Sequence, residues 1–144
     1  MSDIRADFTF NNYRILNLSL TTDFKEDRET YFDFTTKYFI DEEQHECMVG
    51  IDFEVSELNT KVVGEIVGNF SFSDVIPRKD YEQYGLSNGL AILFPYIRSA
   101  VSNLSLQTNG EILMIPTINI VEYMKTRFSQ QKDDNNEKNN PESN

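Results

Sequence analysis

The stretch DEEQHEC, residues 41–47, gathers carboxylates with the single histidine and the single cysteine of the chain. Such a set suggests two chemistries: a metal held by His45, Cys47 and their acidic neighbours, or a Cys47 nucleophile with His45 as its base. The spacing supports neither. It matches no His-x3-His, Cys-x2-Cys or EF-hand ligand pattern, and one histidine with one cysteine is too small a set for a closed zinc site. In an extended strand His45 and Cys47 lie on the same side, but no third group is placed to orient them. The expected roles are a solvated turn and, for Cys47, a small buried hydrophobe. GEIVGNF lacks the Lys-Ser/Thr that a phosphate loop needs. No enzyme activity and no cofactor is therefore expected; a metal enzyme built on His45 is the alternative that bound metal would reveal.

The whole chain sets the limits. At 144 residues it is long enough to bury roughly 68–70% of the surface its unfolded form exposes, as one domain. A lone cysteine and the absence of a signal-peptide pattern in MSDIRADF point to a reducing, cytoplasmic setting. No apolar run reaches the ~18–20 residues of a membrane-spanning helix. Thirteen Lys and Arg against 24 Asp and Glu give a net charge of −11, which argues against nucleic acid and favours high solubility or a basic partner. Eleven Phe and seven Tyr without Trp leave rings to fill a core or to face a partner.

Periodicity then supplies the elements. Between Phe8 and Leu20, Leu16, Leu18 and Leu20 alternate with polar residues as in a half-buried strand. YFDFTTKYFI places Phe32, Phe34, Tyr38 and Ile40 on one face, with Tyr31, Asp33, Thr35 and Lys37 on the other. ECMVGIDFEV alternates strictly, with Cys47, Val49, Ile51, Phe53 and Val55 inward. KVVGEIVGNFSF is a fourth strand, in which Gly64 and Gly68 mark a bulge or a close backbone contact. Turns of about five residues predict an antiparallel meander. Beyond Pro77 the period becomes helical: Leu86, Leu90, Leu93, Ile97, Val101 and Leu104 form one stripe. Pro95 must kink that helix or begin it, since an interior proline costs ~3 kcal/mol, and Gly110 suits its end. ILMIP then runs extended, and Asn119 with Glu122 predicts a capped second helix from about Ile120. The order is α+β, a four-stranded antiparallel sheet followed by helices on one side. Residues 1–129 form the domain, and the polar stretch 130–144 is a disordered tail.

Two surfaces stand out. The aromatic and methionine side chains suit an apolar groove for unstructured segments. Apolar or small residues off the helix stripe, Ala91, Ile92, Phe94, Tyr96 and Ala100, give the helix a second apolar side and with it a subunit interface.

NGLAILFPYIRSAVSNL resembles the long first helix of the SecB and SecB-like export chaperones, with Leu93, Phe94, Pro95, Tyr96 and Arg98 in the Leu-Phe-Pro-Tyr-x-Arg core. GEILMIPTINIVEYM is similar to the proline-containing linker that leads that family into its second helix, here through Asn119. FTFNNYRILNLSL fits the first strand, so the resemblance spans roughly residues 8–128. It implies a homotetramer, a dimer of dimers, in which Leu86, Leu90, Leu93, Ile97 and Val101 serve assembly. It also implies a client surface lined or bordered by Phe32, Phe34, Tyr38, Ile120, Tyr123, Met124 and Phe128. The acidic residues through which export-type members dock the SecA motor are replaced on the first strand by Asn17 and Thr21.

The expected function is therefore that of an ATP-independent holdase, keeping polypeptides such as preproteins unfolded in apolar grooves. A chaperone dedicated to one partner such as an antitoxin is the alternative within the family, and a carrier of a small apolar ligand is the alternative outside it.

Overall fold

The computed structural model describes residues 7–22, 28–109, 112–115, 122, 125 and 126. Four strands, β1 (Phe8–Thr22), β2 (Arg28–Asp41), β3 (Glu46–Leu58) and β4 (Thr60–Phe72), precede a 3-10 turn at Arg78–Asp80 and a helix α1 (Tyr81–Asn109). All neighbours in the sheet are antiparallel. Among the described residues no helix is long and apolar enough to cross a membrane.

The strand order is β1-β4-β3-β2, which corrects the simple meander. Only β2, β3 and β4 follow one another, while β1 crosses to lie beside β4 in a Greek-key order. Short turns dictate that consecutive strands pair. They do not by themselves dictate where β1 goes: five residues separate Thr22 from Arg28, yet β1 pairs with β4 and not with β2.

A second correction concerns Leu16. The β1 register slips between Phe10 and Asn12 and again between Ile15 and Asn17, so Leu16 is the extra residue of a bulge. It is 56% exposed and does not share the half-buried state of Leu18 and Leu20. After each slip the inward set resumes one residue later. Phe8, Phe10, Tyr13, Ile15, Leu18 and Leu20 thus stand opposite the inward side chains of β4.

β3 is as the alternation predicts: Cys47, Val49, Ile51, Phe53 and Val55 are all buried. Gly64 and Gly68 serve close packing. A Cβ on Gly68 would lie 2.8 Å from Leu93 Cδ2, and one on Gly89 of α1 would lie 2.8 Å from Val49 Cγ2. Glycine on both surfaces lets the helix settle onto the centre of the sheet.

Helix α1 is continuous through Pro95, which lies in its interior. Leu86, Leu90, Leu93, Ile97 and Val101, expected at a subunit interface, are at most 1% exposed in the single chain. They belong to the one core cluster shared with β3 and β4. Covered by the chain's own sheet, they have no surface left to offer a second copy.

The expected start of the second helix at Ile120, the cap residue Asn119 and the tail 130–144 lie outside the described residues. Glu122, Lys125 and Thr126 are helical, and the Thr126 hydroxyl donates to the Glu122 carbonyl at 3.0 Å.

Candidate functional site: an apolar groove at the β2 edge

Among the described residues β2 pairs only with β3, so it forms one margin of the sheet. Its inward residues Phe32, Phe34, Thr36, Tyr38 and Ile40 stand opposite Val55, Phe53, Ile51, Val49 and Cys47. They are half-buried, because α1 lies over the middle of the sheet and only partly reaches its margin. The reach is made by Phe94, off the main stripe and 7% exposed. Its ring meets Phe34 edge-on at 4.9 Å and Phe32 at 6.2 Å, a favoured aromatic geometry.

The segment after α1 closes the other side. Exposure along residues 112–115 alternates: Ile112 55%, Leu113 5%, Met114 64%, Ile115 3%. This is the period-two pattern of an extended chain laid on an apolar surface. Two serines of α1 hold it there. The Ser105 hydroxyl accepts the Leu113 N–H at 2.9 Å and donates to the Ser102 carbonyl at 2.9 Å. The Ser102 hydroxyl donates to the Leu113 carbonyl at 3.2 Å. Ser105 is fully buried, and these bonds satisfy its hydroxyl.

Between this segment and β2 lies a groove of about 370 Å³, lined by Thr30, Tyr31, Phe32, Phe34, Val55, Ser56, Glu57, Leu113 and Met114. Phe32 and Phe34 of the expected client surface thus share one cavity. Tyr38 is on the same face of β2, beyond the lining residues. Ile120, Tyr123, Met124 and Phe128 lie outside the described residues. Leu113 and Met114 were not singled out as site residues, although the alternation within ILMI carries the signal.

Among the described residues Thr36 Oγ1, Tyr38 OH, Ser56 Oγ and Arg98 Nε are buried without a hydrogen-bond partner, and of these only Ser56 lines the groove. Burial, followed by the negative charge of Glu82, pushes the Tyr38 hydroxyl well above its ordinary range, so it is a neutral donor. On the far face of the sheet Lys37 bridges Asp52 at 3.1 Å and Glu65 at 3.6 Å.

The residues 41–47 have a structural role. His45 adopts a positive φ of 53°, and its Nδ1 lies 2.8 Å from the Tyr81 hydroxyl, tying the β2–β3 turn to the start of α1. Tyr81 is 1% exposed and stacks on Phe72 at 3.9 Å. Burial pushes the Cys47 thiol up to about 12, which keeps it protonated and a poor nucleophile. Among the described residues no three His, Cys, Asp or Glu side chains converge as a metal site would require.

No protein-family model matches the chain, and no curated protein matches it in sequence. Solved structures do. A SecB-like chaperone of Mycobacterium tuberculosis, in complex with a ChAD peptide from the HigA1 antitoxin, superposes with a TM-score of 0.64 at 14% identity. The match covers 78% of this chain and 91% of that one. A protein of unknown function from Streptococcus agalactiae superposes with a TM-score of 0.53 at 9% identity, over 76% and 97% of the two chains. The fold is SecB-like.

Proposed function

We propose that the chain is an ATP-independent holdase that binds unfolded polypeptide segments in the groove between β2 and residues 112–115. The observation that carries this reading is the groove itself. Its lining is mostly apolar, with Phe32, Phe34, Val55, Leu113 and Met114 among its residues, and Met114 on its rim is 64% exposed. A methionine of that exposure beside two phenylalanines is the kind of surface that polypeptides of varied sequence can share. The peptide-bound chaperone among the structural neighbours supports the same reading. Neither residue that suggested catalysis is placed in the groove: His45 is engaged with Tyr81, and Cys47 is protonated and buried.

Self-association is part of this reading, and it falls to residues that remain exposed. Tyr13, Ile15 and Tyr96 are 39%, 40% and 37% exposed, with the rings of Tyr13 and Tyr96 only 4.4 Å apart. They form an apolar patch at the β1 margin, opposite the client groove, and a homotetramer would use it without closing the groove. The setting is cytoplasmic.

The narrower form, a chaperone dedicated to one antitoxin, has the bound peptide of the mycobacterial neighbour in its favour. Both are tested by mixing the purified chain, without nucleotide, with a chemically unfolded slow-folding polypeptide and following light scattering with sizing. A soluble stoichiometric complex on a tetramer-sized species is expected of the general holdase. Its absence at every ratio overturns that reading and favours the dedicated one.

A further inference from the structure

We propose that the face of the sheet turned away from α1 carries a second docking site, at its β2–β3 turn end, for a partner protein that presents an apolar side chain beside lysine or arginine. The site goes beyond the holdase reading, since it lies across the sheet from the groove.

Strand parity builds it. Cys47 and Val49 of β3 are buried on the α1 side, so Glu46 and Met48 point the other way, and the register sets Asp41 opposite Glu46 and Phe39 opposite Met48. Phe39 is 64% and Met48 40% exposed. A ring and a thioether paired across two strands and open to water form a patch rather than a single stray apolar residue. They line a cavity of about 280 Å³ together with Asn11, Asn12 and Asn69. The β1 bulge between Phe10 and Asn12 brings two consecutive amides to this face. Asn69 Nδ2 donates to Asn12 Oδ1 at 2.6 Å, and Asn11 Nδ2 donates to Ser71 Oγ at 2.7 Å. Held in this way, the amides keep further donors and acceptors for a partner's main chain.

Charge names the partner. Asp41 and Glu46 stand in the cavity wall, Glu42 and Glu43 follow in the turn, and among the described residues no lysine, arginine or histidine lines the cavity. The lysines of this face are already engaged, Lys37 with Asp52 and Glu65 and Lys61 with Glu54. A second copy presenting the same face brings its own excess of carboxylates. A basic segment with one apolar anchor satisfies both halves of the site, the anchor for affinity and the cation for orientation.

The test titrates the full chain with a short fluorescent peptide in which one phenylalanine stands between lysines, following anisotropy and mapping the contact by backbone NMR shifts. Binding should perturb the amides of Phe39 and Met48 and weaken as salt rises. Phe39→Ala should lower affinity at least about tenfold. Asp41→Asn keeps the oxygen that accepts the Gln44 N–H at 3.2 Å; combined with Glu46→Gln it should also lower affinity about tenfold and flatten the salt dependence. Both variants should still form the soluble complex with an unfolded polypeptide, which separates failure of this site from failure of the holdase reading. No binding of the peptide, unchanged affinity in Phe39→Ala, shifts confined to the groove around Met114, or a changed assembly size in Phe39→Ala would each overturn the second site. Variants that lose the unfolded polypeptide as well would make this face part of the client surface and overturn it too.

Discussion

Ser105, fully buried in α1, accepts the Leu113 N–H at 2.9 Å, and this contact makes one wall of the groove a fixture of the helix. Ser105→Ala leaves that N–H unsatisfied at a buried site, a loss of roughly 1–3 kcal/mol. Urea denaturation should show that loss, and peptide affinity should fall with it as the wall loosens. Unchanged affinity in the variant would mean that the segment 112–115 does not shape the site.

Groove and core should respond differently to truncation. Met114 is 64% exposed, so Met114→Ala should change stability by less than about 0.5 kcal/mol while weakening client binding. Phe53 is 3% exposed beneath α1, and Phe53→Ala should cost ~3–5 kcal/mol. Paired denaturation and binding curves check both, and similar destabilisation by the two would refute the separation.

The His45–Tyr81 contact should be measurable as a coupling. His45→Ala leaves a buried tyrosine hydroxyl unpartnered and puts alanine at a φ of 53°, together about 2–3 kcal/mol. Tyr81→Phe removes the orphaned hydroxyl, so the double variant should be more stable than the sum of the single changes indicates. A double-mutant cycle with no coupling would show that the two side chains act independently.

Alkaline pH should weaken the fold through Cys47. Its thiol rises from 9.0 to about 12, so between those values the folded chain keeps a proton that the unfolded chain releases. The unfolded state then binds fewer protons, and stability falls as pH rises through this window. Tyr38, shifted in the same direction, adds to the fall above its ordinary range. Denaturation midpoints at about pH 8 and pH 10.5 should drop further for the wild type than for Cys47→Ala; equal drops would exclude the thiol as the source.

Much of this was legible in the sequence where the determinant is local. Strict alternation named the inward face of β3 residue by residue, and the LFPY stretch sits on the expected helix. Phe32 and Phe34 were readable as one face of β2 for the same reason. What was not legible depends on contacts distant in the chain. Nothing near β1 reveals that its partner is β4, and a bulge at Leu16 moves a leucine outward without changing the local pattern. The stripe from Leu86 to Val101 shows that a face is covered, not that its cover is the chain's own sheet. Leu113 reaches its place through Ser102 and Ser105, residues that carry no signal until the segment folds back. The tie that His45 makes to α1 is not legible locally, because its partner, Tyr81, is 36 residues away.

Photo-crosslinking from single positions tests the central claim most directly. A photoreactive residue at Met114, on the groove rim, is compared with one at Val75, an apolar position 73% exposed that does not line the groove. With an unfolded polypeptide and no nucleotide, the groove predicts strong crosslinks from position 114 and few from position 75. Equal yields from both, or none from position 114 while a complex forms, would place the client elsewhere and contradict the account.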